Sequence, residues 1–312
     1  MKEWQRLAVC AAIVSTGALA PIAALAEVLP VQGVYPAQVD AAAPIQRLGI
    51  VRFGGRDGET LSFAIEDRLR SVSIDGRPWF QVLPDGGMVD AVMRGTASLE
   101  WTTSKVKQKR DVCVEEGDGG KCLRKESRDV DCLSFNYRLA PQIRLVAMDG
   151  VLIHADDEAV YRNVIECPQD ENVPSRREIV RDLAGRIAAG MRHALAPEER
   201  VDAVRVLEKR DGLSKPDGEL FKNALRLTKS DRGAACRQWQ GIAQANPGQV
   251  STLFNLALCA ESAGDDAGAR QQYEALLRLA NVPQARDRLA AIAARARAAD
   301  QLADHARGIP RS

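Results

Sequence analysis

The sequence predicts an α/β domain, a mixed sheet with flanking helices, followed by C-terminal all-α helical repeats. Three observations predict it. From Gln46 to Leu207, apolar runs and helical periodicity succeed one another as strand, helix, strand, several more strands, helix and strand. That order builds a sheet with helices packed against it. Turn dipeptides such as Gly117-Asp118 and Asp149-Gly150 mark the middle strands as antiparallel hairpins. From Ser214 to Arg278, two segments repeat at a spacing of 34 residues. The composition is that of a globular protein, 46% hydrophobic and 27% charged, and the net charge of +1 argues against a general nucleic-acid binder.

Residues 1–26 read as a cleaved secretory signal peptide. Lys2 and Arg6 form a positive start, Leu7 to Ala20 is apolar but too short to span a bilayer, and Ala24-Leu25-Ala26 is a small-x-small cleavage pattern. Cys10 is not read as a lipidation site. Val9 precedes it where a small residue is needed, and too little apolar sequence lies before it. No later stretch is apolar enough to cross a membrane. The expectation is an exported, periplasmic protein, with outer-membrane association left open. Residues 27–45, with Pro30, Pro36 and Pro44, read as a linker or arm.

The α/β sheet domain spans 46–210. Gln46 to Phe53 is a strand ended by Gly54-Gly55, and the helix after it puts Leu61, Ile65, Leu69 and Val72 on one face. Trp79 to Leu83 and a segment starting near Ala91 are strands. Val106 to Val114 and Cys122 to Leu139 form a long charged hairpin, and Ile143 to Ala147 pairs with Val151 to Ile165 around Asp149-Gly150. A helix starts at Ser175, where Glu178 completes a capping box. It lines up Ile179, Leu183, Ile187 and Met191, and ends at Pro197. Val201 to Leu207 closes the domain as a strand.

Six cysteines follow the signal peptide, and in an oxidising compartment pairing is the default. A two-residue turn at Gly117-Asp118 pairs residues whose numbers sum to 235, as those of Cys113 and Cys122 do. A turn at Asp149-Gly150 pairs residues summing to 299, as those of Cys132 and Cys167 do. Directly opposed residues lie about 4.5–5.5 Å apart, within disulfide reach. Pro141 is the weak point of the second hairpin, where a bulge would shift the register. Cys236 and Cys259 remain, on helices expected to be neighbours. The alternative for this pair is two buried free thiols.

Residues 211–283 read as two repeats, and 284–312 as a capping helix and tail. Ala235 and Ala269, Trp239 and Tyr273, and Ile242 and Leu276 are each 34 apart. The small residue allows close helix approach, and the aromatic four residues later fills the space beside it. With the turn Glu261-Ser-Ala-Gly264-Asp265-Asp266, this segment resembles tetratricopeptide (TPR) repeats. The resemblance implies a protein- or peptide-binding module without chemistry of its own. Lys222 and Asn223 depart from that pattern in the leading helix. Leu289, Ile292 and Ala293 are expected to face the repeats, and Arg295, Arg297 and Asp300 to face water.

The α/β region also carries a resemblance. Leu48-Gly-Ile-Val-Arg-Phe53 before an amphipathic helix, Val89-Asp-Ala-Val-Met-Arg-Gly95, Ile143-Arg-Leu-Val-Ala-Met-Asp-Gly150 and the helix ending Leu195-Ala-Pro197 resemble, in their order, a family of exported bacterial domains. It includes the soluble domain of the curli secretion channel protein, the lipoprotein activators of peptidoglycan synthases, and the N-terminal domain of the Tol-Pal beta-propeller protein. The lipidated Cys of the channel and activator members is missing here, as is an apolar hairpin able to enter a membrane.

No catalytic, cofactor-binding or metal-binding residue is assigned. His154, Asp156, Asp157 and Glu158 cluster in sequence, but consecutive acids near a strand end make a solvated turn more readily than a metal site. Gly54-Gly55 lacks the rest of a phosphate-cradling loop, and His193 and His305 sit in helical segments without an evident partner. The hairpin lysines and arginines, Lys105, Lys107, Lys109, Arg110, Lys121, Arg124, Lys125 and Arg128, could meet an anionic envelope surface. The competing reading, preferred here, is a protruding hairpin protected from edge pairing by its charges.

The expected function is a non-enzymatic periplasmic interaction protein, its repeats holding a protein or peptide and its oligomeric state open. The alternatives are a subunit of an oligomeric envelope-assembly or secretion complex and, least favoured, an envelope-polymer enzyme. N-terminal sequencing of exported protein is expected to start at Glu27; an intact Met1 or an acylated Cys10 would overturn the signal-peptide assignment.

Overall fold

The computed structural model describes residues 27–83, 88–168 and 170–308. The expected signal peptide, with Cys10, Ala24 and Ala26, lies outside the described residues. The elements are β1 (Val28–Tyr35), a 3-10 turn at Asp40–Ala42, β2 (Arg47–Ile50), α1 (Gly58–Arg70), β3 (Ser73–Ile74), β4 (Arg77–Pro78), β5 (Gln81–Leu83), β6 (Ala91–Glu116), β7 (Cys122–Ala147), β8 (Leu152–Asp156), β9 (Val160–Glu166), α2 (Arg176–Leu195), β10 (Glu198–Arg205), α3 (Lys215–Leu227), α4 (Arg232–Ala245), α5 (Val250–Ser262), α6 (Asp266–Leu279) and α7 (Pro283–Arg307). The chain forms two compact units. One is mixed α/β and holds Gln32–Asp202 with Val282 onward; the other is built on helices and holds Ala203–Asn281 with residues 27–31.

In the α/β unit the sheet order is β5-β2-β6-β7-β8, with β9 also on β7. β2 runs parallel to β5 and β6, and the other neighbours are antiparallel. The strand period of two separates the faces. Met93, Ala97, Leu99, Leu139, Ile143 and Leu145 are buried in one core with Leu61, Ile65 and Leu69 of α1 and Ile179, Leu183, Ile187 and Met191 of α2. Arg94, Thr96, Ser98, Gln142 and Arg144 alternate with them and are exposed. One covered and one open face is normal for an antiparallel sheet. Ser175 caps α2 as expected: its hydroxyl accepts from the Glu178 amide, and Glu178 reaches back to the Ser175 amide.

The second hairpin reaches the expected register only beyond its turn: Val146 pairs with Leu152 and the Ala147 amide donates to the Val151 carbonyl, sums of 298, and an irregularity between Leu145 and Val146 then moves the ladder to 299. Ile143↔Asp156, Leu139↔Val160 and Leu133↔Glu166 all sum to 299, and this brings Cys132 beside Cys167, with Cα atoms 4.4 Å apart. Pro141 does not shift it, for a geometric reason. The Ala97 amide donates to Gly54, away from β7, so its partner Pro141 presents its main-chain nitrogen away from β6. On that outer edge β8 stops at Asp156 and β9 starts at Val160, leaving a gap opposite the proline. The missing N–H therefore breaks no ladder bond. β7 runs unbroken from Cys122 to Ala147, so the two expected hairpins share a single strand.

The first hairpin corrects its expected register. From Ala91↔Ala147 to Cys113↔Lys125 the partners sum to 238, not 235. The turn is not Gly117-Asp118 but Asp118–Gly120, in which Gly119 and Gly120 both have positive φ and so supply backbone geometry other residues resist. Cys113 and Cys122 are bonded nonetheless, with Cα atoms 5.7 Å apart, because two irregularities between Cys113 and Glu116 pull the tip together.

Two expectations about the chain ends are also corrected. Residues 27–45 are not a free linker: β1 pairs with β10 in a two-stranded sheet, and Leu29, Val31, Tyr35 and Ala37 are buried. The last helix belongs with the α/β unit. Its buried stripe is Ala285, Arg288, Ile292, Arg295, Ala298 and Gln301. Arg295, expected in water, is thus buried, and Ala293, expected in contact, is exposed; Arg297 and Asp300 are exposed as expected. Gln301 accepts from the Ala37 amide (2.8 Å) and donates to the Ala37 carbonyl (3.0 Å), and Arg297 reaches Asp40. Gly33 lies where any Cβ would collide with Arg295.

His305, near the end of α7, stacks on Trp79 with ring centroids 3.6 Å apart, and its Nδ1 donates to the Ala43 carbonyl (2.8 Å). Burial lowers its pKa below the ordinary histidine value, outweighing the opposing pull of its Ala43 bond and of Asp90. The unfolded chain therefore takes up the proton first. The contribution of neutral His305 is complete above the unfolded pKa and is lost as pH falls through the folded one. The melting temperature of the α/β unit is expected to drop as pH falls below about 6.5. His305→Phe, which keeps a stacked ring, should flatten part of that drop; an unchanged slope would show that the stack is not titrating.

Candidate binding surfaces

In the helical unit, α3–α4 and α5–α6 are two hairpins. Asp231 and Asp265, 34 apart, cap α4 and α6 by accepting from Ala234 and Gly268. Ala235, Trp239, Ala269 and Tyr273 are all fully buried, as are Phe221 and Phe254. Phe221 meets Trp239 with centroids 6.5 Å apart, and Phe254 meets Tyr273 at 5.5 Å. Cys236 on α4 and Cys259 on α5 are bonded, tying one hairpin to the next.

A surface that the sequence reading missed lies on α5. Asn255 is fully buried. Its Oδ1 accepts from the Leu207 amide (2.8 Å), and its Nδ2 donates to the Leu207 carbonyl (2.9 Å). A carboxamide carries one acceptor and two donors, so a single side chain pairs with both main-chain groups of this residue. Gln249 caps α5 by accepting from Thr252 (2.6 Å), and its Nε2 donates to the Lys209 carbonyl (3.0 Å). Two helical turns beyond Asn255, Ser262 donates to the Pro30 carbonyl (2.6 Å). All these contacts are to main-chain groups of the protein's own chain. The available signal was a lone Asn inside the apolar run Leu253-Phe-Asn-Leu-Ala-Leu258.

A second surface is the groove between α1 and α2, about 410 Å³, lined by Thr60, Phe63, Ala64, Arg176, Arg177, Val180, Arg181 and Ala184, with Asp57 at its base. Asp57 is buried. It accepts from the Leu99 amide (2.8 Å) and from Arg176 at both oxygens (2.8 Å each), tying α1, β6 and α2 together. Phe63 is 48% exposed, with the Arg52 guanidinium 3.8 Å over its ring. Arg52 itself is paired with Glu66 (2.6 Å).

The residues noted as chemical candidates disperse. His154 faces Leu145 and is half-buried, and burial lowers its pKa against the opposing effect of Asp156. Asp156 accepts from the Glu158 amide (3.0 Å), whereas Asp157 lies beside Thr96 and Arg138. Among the described residues no three His, Cys, Asp or Glu side chains are grouped to hold a metal ion. The charged hairpin is partly balanced across its own strands: Lys107 sits opposite Asp131 and Lys109 opposite Asp129, a favourable cross-strand arrangement, whereas Arg110 sits opposite Arg128. Arg124 and Arg128 both contact Glu126. No helix among the described residues is long and apolar enough to cross a membrane, and three bonded cysteine pairs suit an oxidising compartment.

No protein-family model and no curated protein matches the chain. Among solved structures, similarity is found to a PelC dodecamer from Paraburkholderia phytofirmans, at 10% identity and a TM-score of 0.24 over 54% of this chain and 98% of that one. A score that low does not establish a shared fold.

Asn255→Ala leaves both main-chain groups of Leu207 unpaired beside the core. A buried group that loses its partner costs about 1–3 kcal/mol, so urea unfolding of the helical unit should show a loss in that range. A change within about 0.5 kcal/mol, the size of an ordinary surface substitution, would mean that the Leu207 clasp is not holding the segment.

Proposed function

We propose that this is an exported, periplasmic, non-enzymatic interaction protein whose two helical hairpins act as tetratricopeptide-like repeats that hold extended polypeptide. The observation that carries this reading is the α5 face. Asn255, Gln249 and Ser262 meet main-chain groups of the protein's own chain at Leu207, Lys209 and Pro30. These groups are already occupied, and they support the reading by showing that the repeat helices carry side chains suited to pairing with polypeptide backbone. The 34-residue offset of Ala235/Trp239 and Ala269/Tyr273, with their shared burial, supports the repeat assignment. The three disulfides support export. The order of elements in the α/β unit keeps the resemblance to exported envelope domains as part of the proposal.

A second reading, a subunit of an oligomeric envelope-assembly complex, is favoured by one observation. Met88, Met148, Val151 and Leu152 are each more than half exposed, and the Met148 amide bonds to Asp90 near Met88. Apolar side chains gathered at one end of a sheet suit a contact with another chain.

Photoreactive residues placed at Leu220 and Leu279, both exposed on the repeats, are expected to trap the same polypeptide in intact cells, with mass spectrometry identifying it. A residue placed at Lys107 on the charged hairpin serves as the control. Adducts that match the control, or none from either repeat position, would reject the repeats as the partner-holding part. A mass corresponding to many copies by light scattering would favour the second reading.

A further inference from the structure

We propose that the groove between α1 and α2 binds a small anionic amphiphile, a phosphate or carboxylate carried on an alkyl or aryl group. The wall on α2 carries Arg177 and Arg181, one helical turn apart, beside Val180 and Ala184. Like charges at that spacing repel one another. Nearby arginines have partners: Arg52 has Glu66, Arg176 has Asp57, and Arg162 and Arg186 share Asp182. Among the described residues, Arg177 and Arg181 have no carboxylate at ion-pair distance. Glu178 is within electrostatic reach of Arg181, but its carboxylate accepts from the Ser175 amide (2.7 Å) and hydroxyl (2.8 Å). Two guanidiniums are thus left for an external anion, which their forked donors suit.

The facing wall supplies the other half of the ligand. Phe63 presents an aromatic ring that is 48% exposed even with the Arg52 guanidinium over one of its faces, flanked by Ala64 and Thr60. An exposed ring beside two unneutralised cations is complementary to a molecule with an apolar body and a charged end. The volume of about 410 Å³ falls in the range of roughly 300–1,000 Å³ typical of small-molecule sites. Both walls are helices, whose backbone groups are bonded internally, so the groove offers no ladder to an extended peptide. The capping box occupies the α2 N-terminus, so the anion is held by guanidiniums rather than by free amides.

The test is calorimetric titration of the protein with decyl phosphate below its micellar concentration. Binding should be saturable at one site per chain. Arg177→Gln/Arg181→Gln and, separately, Phe63→Ser should each weaken it at least about tenfold, the fold-change of 1.4 kcal/mol. All three side chains are solvent-facing, and unchanged melting curves would show that the variants fold. Inorganic phosphate alone and the uncharged decyl glucoside should both bind more weakly than decyl phosphate. Decanoate in place of decyl phosphate identifies which head group the pair prefers. Failure of decyl phosphate to bind, equal binding by the arginine double variant, or equal binding of inorganic phosphate would each overturn the proposal. So would binding confined to vesicles of anionic lipid, which would mark a membrane-facing surface instead.

Discussion

One strand, β7, is paired along both edges, and the α/β unit is arranged around that constraint. Its inner edge holds β6 along a 26-residue strand, and its outer edge holds β8 and β9 in succession. A strand used twice must keep its side-chain alternation throughout, because a one-residue slip would turn its buried face to solvent. Leu139, Ile143 and Leu145 keep that alternation toward α1 and α2. Pro141 survives in the middle because its missing donor faces the break between β8 and β9. Beyond the core the same strand continues outward, and there its neighbours become largely polar and charged, with Lys107 opposite Asp131 and Lys109 opposite Asp129.

The two units share a device. Where the chain lies outside regular structure, a buried carboxamide satisfies its main-chain groups. Gln301 holds both main-chain groups of Ala37 in the α/β unit, and Asn255 holds both of Leu207 in the helical unit. Each satisfies one donor and one acceptor of the main chain, buried at Ala37 and part-buried at Leu207. Neither reads the side chain of the residue it holds. In the helical unit this pairing is made to the protein's own chain.

Charge is distributed unevenly. The conspicuous basic hairpin is partly offset by Asp131, Asp129 and Glu126 across or along its strands. The less conspicuous Arg177 and Arg181 lie beside apolar surface. A count of lysines along the sequence points to the first, and only pairing geometry points to the second.

The sequence by itself determined what depends on neighbours along the chain. Ser175 and Glu178 specify a cap, Asp149-Gly150 marks the turn that brings Cys132 opposite Cys167 once a bulge between Leu145 and Val146 has moved the ladder by one, and the 34-residue offset places Ala235, Trp239, Ala269 and Tyr273 in equivalent buried positions. Turn chemistry and helical period are local, so they are legible without the fold. Tertiary structure decided the rest. Gly119 and Gly120 lengthened the first hairpin turn and moved its register by three, from a sum of 235 to one of 238, which two-residue turn logic does not anticipate. The stripe from Ala285 to Gln301 has helical spacing that would suit either unit, and only packing against residues near Ala37 placed it with the α/β unit. Asn255 and the Arg177–Arg181 pair gain their meaning from groups far away in sequence: a main-chain partner at Leu207 for the first, and a facing wall at Phe63 for the second. Local pattern carries no record of such partners, because pairing and burial are properties of the space around a side chain.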